Sequence, residues 1–164
     1  MNEAAVKVLK ENMWDLATCA SGEPNVVPVA FKDVTEDGKL VVGDVFLDTT
    51  LKNLTANGGK IAVSAFNAQT LEGYQVKGTA EYVTEGALVD TFKQMVEAMF
   101  KGAATAKGAL IITPNETIVT TPGADNKTVI QHRQTDKLGF VGLQRTLESL
   151  PLEGKVVSGA NRMR

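Results

Sequence analysis

Cysteine and histidine are almost missing: Cys19 and His132 are the only ones. One cysteine excludes an intramolecular disulfide and a cysteine-based metal cage, and it suits a reducing compartment, so a cytoplasmic location is expected. Cys19 stands in a strand-like stretch among small neighbours and is expected to be a buried thiol. A His-rich metal site or a Ser/His/Asp triad would have to use His132, and no nucleophile motif stands near it; a surface position is expected. An excess of charge of either sign is also lacking. Lys and Arg number 17 against 19 Asp and Glu, a net charge of −2, which argues against a nucleic-acid partner or an anionic membrane surface. No basic strand face with interleaved aromatics supports an oligonucleotide-binding barrel. No apolar run reaches the ~20 residues that a membrane-spanning helix needs. The start, Met1 to Ala5, has no basic region followed by an apolar stretch, so no signal peptide is expected. Paired carboxylates, metal-ligand spacings and a nucleophile elbow are absent as well. Redox or transfer chemistry would then be carried by a cofactor, with the protein supplying position and electrostatics.

What is present is an ordinary globular composition, 43% hydrophobic over 164 residues, enough for a real core. Asn2 to Met13 reads as a helix capped by Asn2, with Ala5, Val8, Leu9 and Met13 on one face. Strands are expected at Trp14 to Ala20, Asn25 to Val34, Lys39 to Gly43, Ile61 to Phe66, Tyr74 to Val83 and Ala109 to Thr113. Thr117 to Thr121 would extend the sheet after a Pro114-Asn115 turn. Pro28 cannot donate to a ladder, so its strand must lie at an edge, bulge there, or leave that position unpaired. In the fifth strand Tyr74, Val76 and Gly78 point one way, and Gln75, Lys77 and Thr79 the other. A longer helix is expected from about Glu85 to Lys101, with Leu88, Val89, Phe92, Val96, Met99 and Phe100 as its apolar stripe and Glu97 and Lys101 as an i,i+4 pair. Six strands in mostly hairpin order, with helices outside, favour a mainly β, α+β fold: a closed or nearly closed antiparallel barrel. From Pro122 the chain turns polar, which sets the barrel domain at 1–121 and a partly irregular C-terminal extension at 122–164. Arg145 to Leu150 reads as a turn or two of helix, and Gly154 to Arg164 as partly disordered unless it docks on a partner.

The stretch of most interest is Gly43 to Asn57. Leu47, Leu51 and Leu54 fall at helical spacing, so a short helix starts near Thr49 and stops at Gly58. Its N-terminus would offer free backbone N–H groups and a partial positive charge to a phosphate, with the hydroxyls of Thr49 and Thr50 beside them. Taken alone, the stretch reads first as a plain helix cap at Asp48 or Thr49, ahead of a phosphate site.

Several segments, in order, resemble the FMN-binding split-barrel family, the pyridoxamine 5′-phosphate oxidase-like flavoproteins. They are Pro24-Asn25-Val26-Val27-Pro28-Val29-Ala30-Phe31, Gly38 to Asp44, Thr49-Thr50-Leu51-Lys52-Asn53-Leu54, Ile61-Ala62-Val63-Ser64 and Tyr74 to Glu81. The resemblance spans roughly residues 5 to 121. It implies a six-stranded antiparallel split barrel with flanking helices, and a homodimer holding FMN at the subunit interface. It implies that the backbone of Val27, Pro28, Val29 and Ala30 runs along the flavin, that Gly43 and Asp44 lie near the ring or ribityl chain, that Thr49 and Thr50 meet the phosphate, and that Gln75 and Lys77 belong to the site.

Two departures matter. Relatives commonly place a basic residue where this chain has Thr49-Thr50; a charge-assisted contact of about 1–3 kcal/mol is then missing, and Lys77 is the expected substitute. The Trp- and Arg-bearing C-terminal segment of the vitamin B6 oxidases has no counterpart, because Trp14 is the only tryptophan and Arg145, Arg162 and Arg164 stand in another setting. The expectation is therefore an FMN-dependent oxidoreductase or electron carrier, with NADH or NADPH as a possible donor. The alternative is a non-enzymatic flavin or ligand binding and storage module on the same barrel.

Overall fold

The computed structural model describes residues 1–132; the expectations for Arg145 to Leu150 and Gly154 to Arg164 lie outside the described residues. These residues form a compact unit. Its elements are α1 (Glu3–Glu11), β1 (Trp14–Ala20), β2 (Glu23–Val29), β3 (Lys32–Val34), β4 (Leu40–Asp44), α2 (Thr49–Asn57), β5 (Lys60–Phe66), β6 (Gly73–Val83), α3 (Ala87–Phe100), β7 (Gly108–Val119) and β8 (Val129–His132).

The strands form one antiparallel sheet in the order β2-β1-β5-β6-β7-β4-β3, with β8 also on β7. The two strands at its far edges, β2 and β3, are joined only by Ala30 and Phe31. So short a link forces the sheet to curl until its edges approach, and the result is a half-barrel with a seam. Among the described residues, eight strands replace the expected six. The run from Asn25 to Val34 breaks at Ala30-Phe31 because the chain passes there from one sheet edge to the other. Pro28 sits on edge strand β2, opposite Asp15, where its missing N–H costs no central ladder bond. The Pro114-Asn115 turn is instead a bulge inside one strand: Gly78 pairs with Pro114 and Lys77 with Glu116, leaving Asn115 extra. β8 is the strand that the polar composition after Pro122 concealed.

The inward residues are those that alternate as expected. Trp14, Leu16, Val63, Val76, Leu40, Val42, Leu110 and Ile112 are fully buried inside the curl, each contributing about 1.5–3 kcal/mol by leaving water. α1 closes one side with Ala5, Val8 and Leu9, and Asn2 caps it by accepting the Ala5 N–H at 2.9 Å. Met13 lies beyond the helix and is exposed. Cys19 is exposed too, against expectation: Trp14, Leu16 and Thr18 take the inward places of β1, so the period of two sends Cys19 outward.

α3 packs on the outer side of β4 and β7 through Val89, Phe92 and Val96, against Val41 and Ala109. Gly43 permits this approach; a Cβ there would lie 2.8 Å from the Phe92 ring. The apolar stripe of α3 is narrower than expected. Met99 is exposed and Phe100 half-exposed, and Glu97 accepts from Thr105 rather than pairing with Lys101.

Candidate functional site: a seam cleft beside the α2 N-terminus

Where the two sheet edges meet, the half-barrel leaves a cleft of about 310 Å³. One wall is the chain from Val27 to Phe31, crossing from β2 to β3; the opposite wall is Gly43, Val45, Phe46 and Leu47, with Phe100 at the end of α3. The walls are tied by the Gly43 N–H, which donates to the Phe31 carbonyl at 2.8 Å. Val27, Pro28, Val29, Ala30 and Gly43 thus lie together in one cleft.

The other residues singled out in the sequence lie around it. Asp44 is fully buried, and its carboxylate is taken up by the protein. Oδ1 accepts the Leu47 N–H at 2.9 Å, Oδ2 accepts the Tyr82 hydroxyl at 2.7 Å, and the Lys107 ammonium stands 3.8 Å away. Asp44 thereby sets the turn from β4 to α2 and does not line the cleft. Burial, with the Asp44 carboxylate at its hydroxyl, pushes the Tyr82 phenol up to about 12.

One residue past the cleft wall, α2 begins. Asp48 holds the N-cap position but makes no side-chain capping bond, so the first-turn N–H groups keep their reach for an anion. Thr49 is exposed. Thr50 turns inward, 1% exposed, and its hydroxyl accepts from Asn25 Nδ2 at 3.1 Å. Asn25 and Asn53 both donate to Thr18 beneath the helix. The Thr49 hydroxyl and the backbone N–H groups are therefore what this end offers outward. Asp48 pairs with Lys52, one turn on, at 2.9 Å.

Gln75 and Lys77 stand elsewhere, on the outward face of β6, as their alternation requires. Lys77 pairs with Glu116 at 3.5 Å and borders a second, wider hollow with Lys60 and Cys19. Within one chain, then, the seam cleft and the α2 N-terminus are neighbours, whereas Gln75 and Lys77 face away. Sequence reasoning missed Phe46 and Phe100. The one signal was Phe46 itself, an aromatic set between Val45 and Leu47 in a turn. No group of three His, Cys, Asp or Glu side chains among the described residues is placed to hold a metal.

The model of the family Pyridoxamine 5′-phosphate oxidase matches residues 1–134. The chain belongs to the pyridoxamine 5′-phosphate oxidase family. An uncharacterized protein of Methanocaldococcus jannaschii is 34% identical over 119 residues, covering 71% of this chain and 78% of that one. Among solved structures, HupZ of Group A Streptococcus superposes with a TM-score of 0.66 at 24% identity, over 76% of this chain and 98% of that one. An FMN-binding protein from Syntrophomonas wolfei gives 0.64 at 16% identity, over 74% and 87%. At those identities the two structures bear on fold, and both carry the split barrel that the resemblance implied.

An apolar slot for a ring system, with free helix N–H groups next to it, fits a flavin mononucleotide in outline. The fit is weaker at the phosphate. The lysine nearest in sequence, Lys52, is tied to Asp48, and no basic residue stands among the first helical residues Thr49-Thr50-Leu51. The pyridoxamine 5′-phosphate oxidase fold thus supplies a cleft and a helix end, with no acid–base side chain inside the cleft.

Proposed function

We propose that this chain is an FMN-binding flavoprotein that works as an oxidoreductase or flavin-based electron carrier, as a homodimer with the cofactor at the subunit interface. The observation that carries the reading is the convergence of Val27, Pro28, Val29, Ala30 and Gly43 on one apolar cleft that runs up to the start of α2. The name of the S. wolfei structure, an FMN-binding protein, supports it by likeness of fold.

In this reading the flavin, when bound, supplies the electron-transfer chemistry. The chain's own residues bind and orient it. The Val27–Ala30 backbone and Gly43 border the ring, and the α2 N–H groups and Thr49 hold the phosphate. Gln75 and Lys77 would serve the cofactor from the partner subunit. The outward sheet face that bears them carries Val26, Pro28, Ala17, Ala62, Ile118 and Val129 interspersed with Asp15, Ser64 and Glu116; in this reading a second copy covers it. NADH or NADPH is the donor class to try first.

The experiment is a visible absorption spectrum of the protein purified without added cofactor, and again after FMN is added and the excess removed. Flavin bands retained near one per chain are expected. A protein that stays colourless after loading sinks the cofactor assignment. Retained flavin that no donor reduces would favour the storage module, a reading supported by the missing cation at Thr49.

A further inference from the structure

The seam cleft has an aromatic mouth. Phe46 is 77% exposed although its neighbours Val45 and Leu47 are buried at 9% and 8%. The turn is not loose. Asp44 holds the Leu47 N–H, Tyr82 holds Asp44, and both flanking side chains are anchored, so the Phe46 ring is held outward by construction. It meets Phe100 edge to face, with centroids 6.4 Å apart at 82°. Phe100 in turn lies 6.1 Å from Phe31. The three rings run from the cleft wall to solvent. None of the ten residues lining the cleft has an ionisable side chain, and the carboxylate nearest in sequence, Asp44, is buried and already bonded.

On the flavoprotein reading above, we infer that Phe46 and Phe100 determine specificity for the second substrate, and that it is an uncharged, planar aromatic compound of the quinone class. A flat apolar ring is what a pre-set pair of aromatic side chains binds best, by stacking or edge contact with little ordering cost. A phosphate, sulfonate or carboxylate on that ring would enter a cleft with no cation to receive it and would lose its hydration uncompensated. The exposed Phe46 is thus explained: it is covered when the second substrate is bound.

The test uses the FMN-loaded protein with the flavin oxidised, so that only binding is read. Flavin content per chain is measured first, from the spectrum. Equilibrium dialysis then gives dissociation constants for 1,4-naphthoquinone and for its 2-sulfonate, with wild type, Phe46→Ala and Phe46→Trp. Wild type is expected to prefer the neutral quinone by about tenfold or more, and Phe46→Ala to weaken it about tenfold, with Phe46→Trp near wild type. Phe46 also borders the cleft assigned to the flavin ring, so FMN content is compared in all three: retention is expected, and its loss in Phe46→Ala would make Phe46 a flavin contact and overturn its assignment to the second substrate. Equal affinity for the two quinones, or no change on Phe46→Ala while flavin stays bound, overturns the assignment and leaves the flavoprotein reading intact. Failure of wild type to hold FMN at the first step overturns both, and the spectrum alone reveals it.

Discussion

At the scale of single residues, the decisive fact is where each polar group has spent its hydrogen bonds. Asp44 and Thr50 both read as cofactor contacts in the sequence, and both are turned to other uses in one chain: Asp44 to the Leu47 N–H and Tyr82, Thr50 to Asn25. Tyr82→Phe removes the donor from a carboxylate that is fully buried, so a loss of about 2 kcal/mol in folding stability is expected, read by urea denaturation at neutral pH. The same pair sets a pH signature. The phenol titrates at about 12 in the folded protein, above its ordinary value near 10. A group whose pKa folding raises stabilises fully below the unfolded value and loses that contribution as pH climbs through the folded one. Stability of the wild type should therefore fall between pH 10 and 12 more steeply than that of Tyr82→Phe. Parallel curves for the two proteins in that window would show that the Tyr82–Asp44 bond contributes nothing.

At the scale of elements, α2 is the piece on which the proposed cofactor binding turns. Its length and stop are those that Leu47, Leu51, Leu54 and Gly58 announce, and Gly58 takes the left-handed φ of 74° that ends it. Its beginning holds a conflict: the helix end attracts an anion, while Asp48 places a carboxylate at the same end. Asp48→Asn removes the repulsion and frees Lys52, so FMN affinity is expected to rise about two- to fivefold. Thr49→Ala should lower that affinity, whereas Thr50→Ala should act mainly on stability, by about 1 kcal/mol through the lost bond from Asn25. Fluorescence titration of FMN with the three variants distinguishes these. Affinity lowered by Thr50→Ala but not by Thr49→Ala would reverse the assignment of which hydroxyl faces the phosphate.

At the scale of the whole molecule, the question is what covers the outward face of β2, β1, β5 and β6. Val26 is 62% exposed there, so in a monomer Val26→Lys should change stability by no more than about 0.5 kcal/mol. In the proposed homodimer it places a charge in the interface. Sedimentation should then show a dimer for wild type and a monomer for Val26→Lys, with flavin retention falling in step. A variant that remains dimeric and keeps FMN removes this face as the interface.

Much of this protein is legible from local chemistry. Alternation in Tyr74 to Thr79 separates inward Val76 from outward Lys77 because a strand has a period of two. The cap at Asn2 and the stop at Gly58 are decided within a few residues, and Pro28, lacking an N–H, limits its position to an edge, a bulge or an unpaired site. The ordered segments from Pro24 to Glu81 were enough to indicate the family. Local chemistry does not decide which edge meets which. That Ala30 and Phe31 join opposite ends of the sheet, that Gly43 admits Phe92, that Phe46 meets Phe100 across 54 positions and that Asp44 finds Tyr82 are all consequences of curling the sheet. Side-chain type and spacing set the elements; the closure of the half-barrel, a long-range balance of burial and hydrogen bonding, set the cleft.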